Sequence, residues 1–112
     1  MKYPLSPERL KELHASQPKQ ETLISAEKIR ERIADTIFTD VAGTNGVVRC
    51  ITCLIEMDNG FQVLGKAFVA DPANFNRELG EHYAYTDAFN QLWGPFAFLL
   101  RETVFSTYSN QG

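Results

Sequence analysis

The tripeptide Asp58-Asn59-Gly60 constrains this chain more than any other feature. It stands between two runs of strand-forming residues, Val47 to Met57 and Phe61 to Ala70. An Asn-Gly step between such runs closes a β-hairpin, because Gly adopts the positive φ that the tight turn requires. The loop can hold two residues or three, and the choice shifts the register by one and turns every side chain over. The three-residue form is preferred. It places Ile51, Cys53, Ile55, Met57, Phe61, Val63, Gly65, Ala67 and Val69 on one face, with Glu56, Gln62 and Lys66 together on the other. A Gly inside a strand, as at Gly65, marks a bulge or a close backbone approach.

Helices are expected on both sides of this hairpin. Ser6-Pro7-Glu8 starts a short one through Leu10 and Leu13, with Ser6 as N-cap, and Ser16-Gln17-Pro18-Lys19-Gln20 breaks it. Ser25 caps a second, of about three turns, whose apolar stripe is Ile24, Ile29, Ile33 and Ile37. Val41 to Gly46 then reads as a loop. Asp71-Pro72 opens a long helix that runs to about Trp93, where Gly94-Pro95 stops it. Phe75, Leu79, His82, Thr86, Phe89 and Trp93 form its bulky side and are expected to cover the sheet. Ala73, Gly80, Ala84 and Ala88 form a groove for a second neighbour. Pro95 to about Thr107 makes a last helix, apolar almost all round, which points to burial or an oligomer interface. Ser109 to Gly112 reads as a frayed end. The expected fold class is α+β: an antiparallel hairpin or small sheet packed against two long C-terminal helices, with a short N-terminal helix. Residues 1–24 form an arm, either a loose tail or a partner-binding segment, and 25–108 a single domain.

Net charge is −3, with no basic run to neutralise phosphates, so a nucleic-acid polymer is not an expected partner. No segment reaches the roughly 20 apolar residues of a membrane span, and Met1 to Pro7 lacks the apolar core of a signal peptide. No membrane partner is expected, and the protein is placed in the cytoplasm of the cell that makes it. Cys50 and Cys53 form a lone C-x-x-C in a strand, where a spacing of three sends the thiols to opposite faces. They read as two small buried hydrophobes. His14 and His82 are too far apart to complete a zinc site or to serve an evident nucleophile. No catalytic residue, metal site or cofactor is expected, and the chain is read as not being an enzyme. The binding candidates cluster at Asn74-Phe75-Asn76-Arg77, read as the first turn of the long helix, where free N–H groups favour anions. Phe75 could stack a base or anchor the core. Arg77 and Arg101 could pair with phosphate, and for Arg101 a solvated salt bridge is an equal reading.

The ordered run Asn59-Gly60-Phe61-x-Val63-x-Gly65, Asp71-Pro72-Ala73-Asn74-Phe75, Leu79-Gly80, Ala88, Trp93 and Leu99-Leu100-Arg101-Glu102 resembles the Gp49-like phage protein family of tailed phages and prophages. The resemblance covers about Ser25 to Thr103 and leaves the arm outside. Phage anti-Thoeris proteins look similar: non-enzymatic oligomers that sequester cyclic ADP-ribose or cyclic oligonucleotide signals. The resemblance therefore implies a phage or prophage accessory protein with an anti-defence role, homo-oligomeric and at least a dimer. A cyclic nucleotide would be its ligand, and Asn74, Phe75, Arg77 and Arg101 would bind it. The alternative is a protein-binding module that inhibits or modulates a host or phage protein. The chain departs from the family pattern in the middle of the long helix, where basic residues are usual and Glu81 to Asp87 stands here. It departs again at Gly94-Pro95-Phe96, where a Pro usually follows Trp directly.

Overall fold

A computed structural model describes residues 3–16 and 24–109. The expected break at 17–20 and the end at 110–112 lie outside the described residues. The order is α1 (Pro7–Ser16), α2 (Ala26–Glu31), β1 (Ile33–Ala42), β2 (Val48–Met57), β3 (Gln62–Phe68), α3 (Arg77–Asn90) and α4 (Trp93–Ser109). The class is α+β, with an antiparallel sheet in the order β1-β2-β3.

The hairpin forms as its turn chemistry requires. Glu56 pairs with Gln62 and Cys53 with Gly65, leaving a three-residue loop. The Met57 amide donates to the Phe61 carbonyl at 2.7 Å, and the Gly60 amide to the Met57 carbonyl at 2.9 Å. Gly60 has φ +88°. Asn59 Oδ1 accepts from the Phe61 amide at 3.0 Å. Ile51, Cys53, Ile55, Met57 and Val63 are buried on the expected face. On the other, Gln62 Nε2 donates to Glu56 at 2.7 Å.

The expected three-turn helix from Ser25 is corrected. Ser25 does cap α2, accepting from the Lys28 amide at 3.1 Å. The helix ends after two turns at Glu31, and Ile33 and Ile37 belong to β1. A spacing of four satisfies both the helical and the strand period, so the stripe could not choose between them. What decides is a second copy of the same turn. The Gly43 amide donates to the Val47 carbonyl at 3.0 Å and the Gly46 amide to the Gly43 carbonyl at 2.9 Å. Gly46 has φ +78°, and Asn45 Oδ1 accepts from the Val47 amide at 3.2 Å. Thr44-Asn45-Gly46 thus repeats the chemistry of Asp58-Asn59-Gly60, and the expected loop is the tip of a second hairpin.

The long helix is corrected in its start, its end and its orientation. Asp71 caps only a single 3-10 turn, Pro72–Asn74, accepting from the Ala73 amide at 3.0 Å. The helix begins at Arg77, with Asn76 accepting from the Leu79 amide at 3.0 Å. It ends at Asn90, and Gly94-Pro95 lies in the first turn of α4, where Pro is tolerated because its missing N–H would have no helical partner. The small side, not the bulky one, covers the sheet. Ala84, Ala88 and Leu92 are buried, while Leu79 and His82 are exposed and Trp93 is 38% exposed. The reason is Gly65. A Cβ there would fall on the Ala84 carbonyl oxygen and the Ala88 amide nitrogen, so the helix backbone rests directly on the strand. Only Gly opposite Ala permits that approach.

Side chains of α3 and of its C-cap residue Gln91 also reach the sheet's β3 edge. Asp87 accepts from the Lys66 amide at 2.9 Å, and Gln91 donates to the Leu64 carbonyl at 2.7 Å. Strand edges left with free N–H and C=O groups invite further pairing, and these two bonds cap the edge at Lys66 and Leu64. Ile29 of α2 and Phe89 complete the core.

The shape is extended. The radius of gyration is 19.1 Å, against about 13 Å for a compact chain of this length. The two ends account for it: α1 buries no residue, and no residue of α4 from Trp93 to Tyr108 is fully buried.

Candidate binding site

Among the described residues, three surface hollows are candidate binding sites. The first, about 280 Å³, sits between the end of β3 and the start of α3. Phe68, Asp71, Asn74, Phe75, Asn76, Gly80 and Tyr83 line it. Asn74 and Phe75 of the expected site are therefore here. Phe75 is half-buried against the core and lines the cavity. Asn74 Nδ2 donates to Asp71 at 2.8 Å.

Arg77 is differently placed. Its guanidinium donates to both oxygens of Asp40 on β1, each at 2.7 Å, and lies over the Phe75 ring at 5.7 Å. These bonds hold the Asp40 carboxyl below the usual aspartate value. The Asp40 carboxylate offsets the guanidinium charge and takes two of its five donors, which weakens its pull on a phosphate. Arg101 is exposed on α4 and lines none of the three hollows. The four candidates are thus split: Asn74 and Phe75 share a cavity, Arg77 buttresses its edge, and Arg101 stands apart. Sequence reasoning passed over Tyr83, 58% exposed on the cavity wall. The spacing of Leu79 and Tyr83 was the available signal, since residues four apart share a helix face and both line the cavity.

The second hollow is larger, about 460 Å³, and lies between the β2–β3 turn and α4. It is lined by Met57, Phe61, Pro95, Phe96, Phe98 and Leu99, with Arg32 and Asn59 at its margin. Arg32 holds this corner together. It makes three bonds of 2.9 to 3.2 Å to Asp58 and lies over the Phe96 ring at 5.8 Å. The third, about 340 Å³, separates α2 from the other flank of α4, between Ile24, Lys28 and Phe96, Leu100.

The reverse face of the sheet is open. Register places Ile37, Leu54 and Leu64 in one cross-strand row and Val41, Cys50 and Phe68 in another. Phe68 is 72% exposed. Cys50 and Cys53 are both free and buried, on opposite faces as expected. Burial pushes the Cys53 thiol up to about 11. Thiolate is the reactive form, so Cys53 is expected to stay unmodified by a thiol-specific reagent at pH 8 in the folded protein. Both thiols should react once denaturant is added; rapid native labelling at Cys53, read by peptide mass, would contradict its burial.

Among the described residues, no three of His, Cys, Asp and Glu gather as a metal site would need. His82 is exposed, its ring against that of Tyr83 at 5.4 Å. None of the described helices is long and apolar enough to cross a membrane.

The model of the family described as "Phage protein (N4 Gp49/phage Sf6 gene 66) family" matches residues 24–104, most of the chain. The chain belongs to this phage protein family. The Gp49 match begins just before the Ser25 cap, takes in the sheet and α3, and ends within α4, leaving α1 outside. No curated protein and no solved structure matches the chain at a significant level. The Gp49-family core therefore includes both turns of the x-Asn-Gly type, the Gly65 contact and the three hollows.

Proposed function

We propose that this phage accessory protein is a non-enzymatic homo-oligomeric binder that sequesters a small nucleotide-type signal, a cyclic nucleotide or cyclic ADP-ribose, in an anti-defence role. The observation that carries the reading is the cavity shared by Phe75 and Tyr83. The aromatic lining of Phe68, Phe75 and Tyr83, with a polar rim of Asp71 and Asn74, suits a purine ring. Arg77 acts here as a buttress rather than a ligand, because Asp40 holds it, and Arg101 is assigned to subunit contact.

Calorimetry of the full chain against cyclic nucleotides and cyclic ADP-ribose isomers tests this, with chromatography of the recovered ligand. Binding with intact ligand is expected. Tyr83→Ala should raise Kd by roughly 5- to 150-fold, the equivalent of about 1–3 kcal/mol for one lost ring–base stack. Absence of heat across the panel would sink the ligand, and a new product would sink the non-enzymatic reading. A second reading, a module that inhibits or modulates a host or phage protein, is favoured by the open apolar rows ending in Leu64 and Phe68. Capture of a host protein by the full chain, lost in Phe68→Glu, would favour it instead.

A further inference from the structure

We infer that α4 pairs antiparallel with α4 of a second copy, across a two-fold axis passing between Arg101 and Glu102, and that the end of the partner helix fills the 460 Å³ groove. This rests on the homo-oligomeric reading above and names the surface that carries it.

α4 has two apolar sides. Phe96, Leu100 and Val104, spaced by four, are half-buried and face inward. Phe98, Phe105 and Tyr108 lie on the outer side at 66%, 63% and 71% exposure. Their spacing of seven and three is that of a seam in which two helices interlock. A two-fold interface must be self-complementary: if residue i meets residue j, then j meets i. Reflection about the midpoint of residues 101 and 102 satisfies this at each position. Phe98 meets the partner's Phe105. Arg101 meets the partner's Glu102. Tyr108 meets the partner's Pro95, which lines the groove together with Phe61, Phe98 and Leu99. Gly94, where an added Cβ would meet nothing, leaves room for the incoming ring.

Charge selects the direction. Arg101 and Glu102 are the only charged residues of α4. Neither makes a hydrogen bond or ion pair with another described residue. Antiparallel pairing joins opposite charges, whereas a parallel pair would set like charges side by side, which is unfavourable. The area is sufficient. At roughly 200 Å² per whole ring, the exposed parts of Phe61, Phe98, Phe105 and Tyr108 come to about 500 Å² per copy. The pair thus buries about 1,000 Å², the lower bound of a specific interface, before Leu99 is counted.

Sedimentation velocity on the full chain tests the proposal. The wild type should run as a species of twice 12.7 kDa. Phe105→Glu removes two ring contacts per dimer, by symmetry. It should raise the dimer Kd by about 100-fold or more with unchanged circular dichroism. Arg101→Glu and Glu102→Arg should each weaken the dimer, and the two together should restore it. A wild type that stays monomeric at all concentrations overturns this proposal and the oligomeric reading alike. An oligomer indifferent to all these changes overturns the α4 pairing alone. Failure of the double charge reversal to restore the dimer overturns the antiparallel register.

Discussion

Replacing Gly65 with alanine is expected to destabilise the fold by about 3 kcal/mol or more, at the upper end of the range for overpacking. A domain of this size has only roughly 5–15 kcal/mol of net stability, so the change removes a large fraction of it. The obstruction is backbone rather than side chain. The new methyl would fall on the Ala84 carbonyl and the Ala88 amide and Cα, and neither can rotate away. The helix would have to lift from β3, straining the Asp87–Lys66 and Gln91–Leu64 bonds that tie it to the strand edge. Trimming Ala88 to glycine should therefore give no rescue. Urea denaturation checks both statements. A Gly65→Ala protein within ~0.5 kcal/mol of wild type, or one restored by Ala88→Gly, would contradict the close approach.

Leu92→Ala is expected to cost about 2–5 kcal/mol, as for other large-to-small changes in a packed core. Leu92 is wholly buried at the junction of α3 and α4. Its amide donates to the Phe89 carbonyl at 2.9 Å, and its carbonyl accepts from the Phe96 amide at 3.1 Å. The side chain thus pins the joint from which α4 projects. Thermal unfolding should show the loss. Leu99→Ala, at 45% exposure on the groove side, should leave the unfolding of the single chain nearly unchanged. Equal losses in the two variants would mean that α4 is not anchored through Leu92.

Much of the sheet was legible because its signals are local. Asn59-Gly60 needs only its own backbone to set the turn, and the turn sets the register of Met57 against Phe61. The Ser25 cap likewise depends on an oxygen three residues from an amide. β1 was misread although Thr44-Asn45-Gly46 repeated that turn signal, because the isoleucine spacing served either period. Of the binding candidates, Asn74 and Phe75 could be placed together from adjacency. That Arg77 is held by Asp40, 37 positions away, and that Tyr83 joins Phe75, depends on how β1 and α3 approach.

The Asp58-Asn59-Gly60 turn, the inward face of the hairpin and the apolar excess of the last helix were determined by sequence alone, since each follows from backbone freedom or residue type within a few positions. The side of α3 that meets the sheet was decided only by tertiary structure. Its bulky side would bury more apolar surface, but Gly65 offers a place where two backbones can touch, and only the side bearing Ala84 and Ala88 can enter it.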